Sequence, residues 1–349
     1  MNDETRYGRT SRRRFLQYLA MLTVGGRVLL RSGDARAAVD AAQQAAADPE
    51  TWPTLPKRTL GRTGFEATRL VFGCGAALSG GRNDALLEAA RRAGINVFDV
   101  GSSSFYADAE KNLAPFLKKV RSDVFLISKA MVGLELEPGD ALTADQAKKA
   151  AATWSERLDR SLAELEVDRV DAYYVMAANN PTLVASDEIL AAFEGAEAAG
   201  KVRYLGLSTH QNQERVLRAA AGTGRYSLAM VAVTPGGWYD WKGRGVLAGS
   251  KPMAELRPFL DEICADGIAL VGMKAGRHLA GRRFIGWSNP DAFDEHYDEK
   301  FLAAKLSAFQ RSYAFVLAHG LDVVNADMQS LPHLHENVVA AATSDSYFA

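Results

Sequence analysis

From Lys57 onward the chain alternates short β-branched runs with longer stretches whose apolar residues recur every three or four positions. The runs predict a hairpin from Arg58 to Thr68, turning at Arg62-Thr63-Gly64, and then eight strands. The strand candidates are Arg69–Gly73, Asn96–Asp99, Val124–Lys129, Val170–Met176, Val202–Ser208, Leu228–Val233, Ala269–Lys274 and Asp322–Asn325. Helical stretches lie between them, and the third is the clearest. Thr143 and Gln146 form a capping box there, ahead of Ala147, Ala151, Trp154, Leu158, Leu162 and Leu165 at helical spacing. Helix stops are expected at Gly94, Gly200, Gly267 and Gly320.

Alternation of this kind builds a parallel sheet covered by helices. Eight units in about 290 residues suit a closed barrel, whereas doubly wound open sheets more often stop at five or six strands. No Gly-x-Gly-x-x-Gly follows the first strand, which argues against a Rossmann domain. The expected fold is therefore α/β, a (β/α)8 TIM barrel with an N-terminal β-hairpin, over residues 57–349.

The N-terminus has a different pattern. Ser11-Arg12-Arg13-Arg14-Phe15-Leu16 is a twin-arginine pattern, followed by an apolar run from Phe15 to Val24 and small residues at Ala35-Arg36-Ala37. Residues 1–37 are expected to be a Tat signal peptide engaging the Tat export machinery, with the protein exported to the periplasm. Cleavage after Ala37 and retention of the leader as a membrane anchor both stay open. Residues 38–56, Ala-rich and carrying Pro53 and Pro56, read as a linker. The apolar content of 48% and charged content of 24% are ordinary for a globular protein, and a net charge of -1 gives no global case for nucleic acid. Two cysteines, Cys74 and Cys264, are too few for a disulfide scaffold or a four-cysteine metal site. The barrel places them toward opposite rims, so a bridge between them is not expected.

Barrel chemistry sits where the strands end at their C-termini. That rim collects Asp99, Lys129, Met176 and Ser208-Thr209-His210, with Tyr106 in the loop after Asp99. A phenol with a pKa of about 10 is a weak acid at neutral pH unless a nearby ammonium stabilises its phenolate. A carboxylate can hold that ammonium in place. Position alone leaves open a structural Asp99–Lys129 ion pair with Tyr106 as a surface aromatic.

Several segments resemble the aldo-keto reductase family. They are Lys57-Arg58-Thr59-Leu60-Gly61-Arg62-Thr63-Gly64 with Leu70-Val71-Phe72-Gly73, Gly94-Ile95-Asn96-Val97-Phe98-Asp99, Tyr106 with Glu110, and Ile127-Ser128-Lys129. The stretch Gly200 to His210 is similar to that family's fifth strand. The resemblance implies hydride transfer between a nicotinamide cofactor, NADP or NAD, and a small-molecule carbonyl or alcohol substrate. It implies Tyr106 as the acid, Lys129 lowering its pKa, Asp99 orienting Lys129, and Met176 at the place of the family's histidine. It assigns cofactor contacts to Ser208, Thr209, Lys274, Gln329 and Asn337, and no metal.

Four departures stand out. Met176 cannot donate a hydrogen bond to a developing alkoxide. Asp99 and Tyr106 are separated by two residues more than the common spacing, which is expected to displace the tyrosine. Strand six reads Met230-Val231-Ala232-Val233-Thr234-Pro235, without the usual glutamine and stacking tyrosine. Asn325-Ala326-Asp327-Met328-Gln329-Ser330 occupies the adenosine-phosphate region, where Asp327 opposes a 2′-phosphate. The alternative is thus a catalytically impaired barrel acting as a binding or accessory protein.

Other residues compete for roles. Asn179, Asn180 and His210 lie near the rim, as replacements for the missing donor or as loop caps. Trp238, Tyr239 and Trp241 after strand six, and Phe284, Trp287, Phe293 and Tyr297 after strand seven, wall a pocket, dock a protein partner or pack their own loops. Arg277, Arg282 and Arg283 are read as a pyrophosphate contact or a solvated loop. His333 and His335, two apart, fall on different faces of a last helix and make no metal pair.

Overall fold

The computed structural model describes residues 48–134, 136–137, 139–280 and 289–348. The expected leader, the linker up to residue 47, and Arg282, Arg283, Phe284 and Trp287 lie outside the described residues.

The hairpin comes first: β1 (Lys57–Thr59) pairs antiparallel with β2 (Glu66–Thr68), bent through Gly64 at φ 68°. Strands β3 (Leu70–Gly73), β4 (Val97–Asp99), β5 (Phe125–Met131), β6 (Val170–Met176), β7 (Val202–Thr209) and β8 (Tyr226–Thr234) follow, each parallel to the last. The short β9 (Gly237–Asp240) and β10 (Gly245–Val246) extend β8 as an antiparallel flap. β11 (Ala269–Met273) and β12 (Val323–Asp327) complete the ring, and β12 returns to β3 through Val324↔Leu70 to Asp327↔Gly73. Among the described residues this is a closed parallel barrel of eight strands, the expected TIM barrel.

Alternation along each strand sorts the side chains, because successive Cβ atoms point to opposite faces. Val97, Phe125, Ile127, Ala172, Tyr174, Leu228, Met230, Ala232, Val271 and Val323 fill the barrel. Their neighbours Phe98, Leu126, Tyr173, Val175, Leu207 and Val231 face the helical layer. The hairpin plugs the lower mouth, where Phe65 meets Phe125 at 5.1 Å, Phe125 stacks on Tyr204 at 6.0 Å, and the Tyr204 hydroxyl donates to Thr63 O. The upper mouth is left for chemistry.

The helix Ala144–Leu165 starts at the Thr143–Gln146 capping box and buries Ala147, Trp154, Leu158 and Leu165. Some elements differ from the pattern-based expectation. β5 runs on to Met131 and β12 covers Val323–Asp327, because their ladders continue through polar residues that face inward. Lys274, expected as a strand end, lies past β11 at φ 70°, in a left-handed turn that ends the ladder. Tyr106 is on a short helix, Ser103–Tyr106, rather than in a loop. The last part of the expected linker is seated on the barrel: Trp52 and Leu55 are buried, and Trp52 packs against His335 at 5.1 Å. Trp238, Tyr239, Phe293 and Tyr297 are also buried and pack within their own loops, whereas Trp241 is exposed. Cys74 is buried at the start of the helix Cys74–Leu78, and Cys264 lies late in Met253–Ala265.

Candidate active site

Asp99 is the last residue of β4 and Lys129 faces inward from the neighbouring β5. The Lys129 ammonium reaches Asp99 Oδ2 at 2.5 Å and Val100 O at 2.6 Å, and both side chains are about 4% exposed. Burial raises the Asp99 carboxyl above its ordinary range, against the pull of Lys129. Burial works against the Lys129 charge too, but the attraction of Asp99 and Tyr106 outweighs it and raises the ammonium pKa. A third member comes from across the barrel seam. Asn325, inward on β12, donates its Nδ2 to Asp99 Oδ2 at 2.6 Å. The expectation of Asn325 as part of an adenosine-phosphate segment is therefore corrected: inward alternation puts it beneath the rim, bonded to the carboxylate.

Tyr106 lies over Lys129, whose Nζ is 5.3 Å from the ring centroid. The longer spacing after Asp99 is taken up by the helix Ser103–Tyr106, which brings the ring over Lys129. Two glycines make room. A Cβ on Gly75 would stand 2.4 Å from the Tyr106 ring, and one on Gly101 would stand 2.7 Å from its other edge. Burial raises the phenol pKa, Lys129 lowers it, and Asp99 and Asp327 push it up again. Behind β5, the buried Glu110 accepts from Ser128 Oγ at 2.6 Å, tying the helix Ala109–Val120 to the residue next to Lys129.

Gly75→Ala is expected to tilt the phenol and cut turnover about 10²-fold, the usual cost of a misplacement near 1 Å. Its melting temperature should fall by a few degrees, because the added Cβ overpacks a ring already held on its other edge by Gly101, at a cost of about 1–3 kcal/mol. Steady-state kinetics beside a thermal melt check this; an unchanged turnover would show that the ring needs no such slot.

The remaining candidates divide. Met176 ends β6, buried, one level with Ser208 of β7. Ser208 Oγ accepts from Ala177 N at 3.2 Å. Thr209 is fully buried, and its one hydroxyl hydrogen is shared between Gln211 O at 2.7 Å and Asn179 Oδ1 at 3.0 Å, so the hydroxyl serves the loop. Lys274 stands with its ammonium 4.8 Å from the exposed Trp241 ring. Gln329 is exposed and hydrogen-bonds Asp327, while Asn337 is buried on the last helix, Leu331–Phe348.

Tyr174, opposite Lys129 on β6, escaped the sequence reading. Its hydroxyl and Asp99 Oδ1 are both buried without a hydrogen-bond partner, and Gly206 gives its ring space. The signal was available: two residues before Met176, the same inward parity places it under the site.

Residues 75–234 match the model described as Aldo/keto reductase family. The match spans a little under half of the chain, and over it the sequence is similar to that family. Two solved structures of Pseudomonas aeruginosa proteins assigned to the aldo-keto reductases are similar to it, each with a TM-score of 0.57 and 22% identity. They cover 84% and 86% of this chain and 98% and 99% of their own. An aldo-keto reductase from Klebsiella pneumoniae in complex with NADPH has a TM-score of 0.55 and 18% identity, covering 83% of this chain and 89% of its own. At these identities the likeness carries the fold. No curated protein matches this chain. The matched segment holds Asp99, Tyr106, Lys129, Met176 and Ser208 and ends at Thr234.

Proposed function

We propose that this protein is an exported oxidoreductase that interconverts a small carbonyl and its alcohol with a nicotinamide cofactor. The observation that carries this reading is the Asp99–Lys129 pair, buried directly under the Tyr106 ring. Burying an ion pair costs several kcal/mol per ion unless the geometry is good, so a pair held this deep at a barrel rim points to a role beyond a surface contact.

The residues fit the nicotinamide end of a cofactor. Ser208 Oγ accepts from Ala177 N, which leaves its own hydrogen to donate to a carboxamide oxygen. Lys274, with Arg277 beside it, offers positive charge to a pyrophosphate. Asp327 weakens the case for a 2′-phosphate, whereas the NADPH held by the Klebsiella pneumoniae protein favours NADP. When bound, a reduced nicotinamide supplies the hydride for the carbonyl carbon. Tyr106 then gives its proton to the carbonyl oxygen, Lys129 steadies the phenolate left behind, and Asp99 with Asn325 fixes Lys129. Met176, which donates no proton, favours a second reading as a binding barrel without turnover.

The deciding experiment is a fluorescence titration of the mature domain with NADPH and NADH, after checking for cofactor carried through purification. Binding of either supports the oxidoreductase; a folded, cofactor-free sample that binds neither hands the lead to the binding barrel. Burial pulls the Lys274 pKa down to about 8, helped by Arg277 and Lys129 and opposed by Asp327. Lys274 therefore loses its charge as pH rises through about 8. Affinity for NADPH is expected to fall several-fold from pH 7 to pH 9, and Lys274→Gln should flatten that slope.

The Ser11-to-Leu16 pattern supports export through the Tat pathway. The double substitution Arg12→Lys and Arg13→Lys is expected to leave the protein in the cytoplasmic fraction; unchanged export would end that part of the proposal. An exported enzyme has no ready supply of reduced cofactor, so a tightly held cofactor cycling between two substrates is expected.

A further inference from the structure

Met176 leaves the rim without the hydrogen-bond donor that polarises a substrate carbonyl, and three polar residues lie near the gap. Asn180 is committed. Its Oδ1 accepts from Thr182 N and Leu183 N at the start of the helix Pro181–Val184, and its Nδ2 donates to Glu137 O and Asp140 O, both at 2.9 Å. Asn179 is turned to its own loop, its Oδ1 taking hydrogen bonds from Thr209 Oγ1, His210 N and Gln211 N at 2.9–3.2 Å, which leaves its Nδ2 as the rival donor to compare with His210. What Asn179 does is hold the backbone of His210 in place.

The geometry points to His210 as the donor to the substrate carbonyl oxygen, an inference that rests on the carbonyl chemistry proposed above. On β7, Tyr204 and Gly206 face the barrel interior and Leu205 and Leu207 face the helices. The same parity carries to Ser208, and His210 is the first residue past β7, close enough to Lys274 and Lys129 for both to act on its charge. Val175 pairs with Leu207, so Ser208 is level with Met176, and His210 follows just past the end of the adjacent strand. The imidazole is edge-on to Trp241, with centroids 5.3 Å apart, and makes no hydrogen bond to a described residue.

Its charge state suits the task. Burial, then Lys274, then Lys129, hold the imidazole pKa down to about 4. The ring is therefore neutral at pH 7 and carries one N–H. A donor of this kind gains strength as the carbonyl oxygen becomes an alkoxide, which is where a preorganised hydrogen bond lowers a barrier. The ammonium groups of Lys129 and Lys274 that keep the ring neutral also favour the negative oxygen in front of it. The donor has moved by one strand, from the end of β6 to the end of β7.

The test uses the mature protein, NADPH and 4-nitrobenzaldehyde, with His210→Ala and His210→Gln beside the parent. His210→Ala is expected to lose about 10²-fold or more in kcat/KM, with NADPH affinity within twofold of the parent. His210→Gln, which restores an N–H, is expected to recover at least tenfold of that loss. Independently of turnover, the unreactive 4-nitrobenzamide should shift the ring ¹⁵N signals of His210 in the parent. A His210→Ala variant within threefold of the parent overturns the inference, as does equal loss of turnover and NADPH binding, or no ¹⁵N shift at saturating amide. If His210→Ala does not fold, His210→Gln is read alone, and full activity combined with an unmoved ¹⁵N signal is again fatal. A parent that binds NADPH yet reduces no aldehyde, indistinguishable from Tyr106→Phe, defeats the oxidoreductase reading itself, and the role of His210 falls with it.

Discussion

Replacing Lys129 with methionine is expected to destabilise the barrel by about 3–5 kcal/mol, the usual cost of leaving a buried charge without its partner. The methionine matches the length of the lysine stem, so packing changes little. What remains is Asp99, 3% exposed, with Oδ1 already lacking a partner and Asn325 as its main donor. The sign with pH follows from the direction of the shift. Without Lys129 the folded-state Asp99 pKa climbs further above its unfolded value, so the penalty is small below that unfolded value. It grows as pH rises toward the folded pKa and is complete above it. Urea denaturation at pH 5 and pH 8 should show the larger deficit at pH 8. Adding Asp99→Asn should restore much of the stability, because it removes the orphaned charge. A single Lys129→Met variant as stable as the parent at pH 8 would mean that the pair is open to water and the structural basis of the site is wrong.

The sequence carried the barrel well because the physics of a parallel barrel is written locally. Each β-branched run and each amphipathic helix repeats the same instruction, and the Thr143–Gln146 box appears as a helix start in both pattern and structure. The Asp99, Tyr106 and Lys129 set was legible for a similar reason: two of the three end or nearly end a strand, and strand ends define the rim. Contacts set by closure were not. Asn325 reaches Asp99 across the seam where β12 meets β3, a pairing between residues 226 positions apart that local periodicity does not reveal. The slot between Gly75 and Gly101 also escaped, because a glycine needed for close approach looks the same in sequence as one needed for a turn. The two extra residues before Tyr106 suggested displacement, and a short helix absorbed them. Past Thr234 the flap of β9 and β10 has no strand-and-helix period to follow, and the aromatic residues there gave no hint of which would be buried.

Removing the hydroxyl of Tyr106 should separate the two readings of the protein more sharply than any other single change. In the oxidoreductase, Tyr106→Phe takes away the only proton in the Asp99–Lys129–Tyr106 set that is free to leave. Lys129 is bound to Asp99 and Val100 O, and its raised pKa makes it a poor donor at neutral pH. General acids contribute about 10²–10⁴ to a rate, so turnover of an aldehyde with NADPH is expected to fall by that factor. The ring itself stays between Gly75 and Gly101, 4.8 Å from Phe105, so folding and cofactor affinity should match the parent. Single-turnover oxidation of NADPH isolates the chemical step from product release and is the measurement to make. Loss of that step with binding intact assigns the proton to Tyr106. Retention of a tenth or more of the parent rate would move the proton source elsewhere, with the Lys129 pair left as a structural ion pair under an aromatic lid.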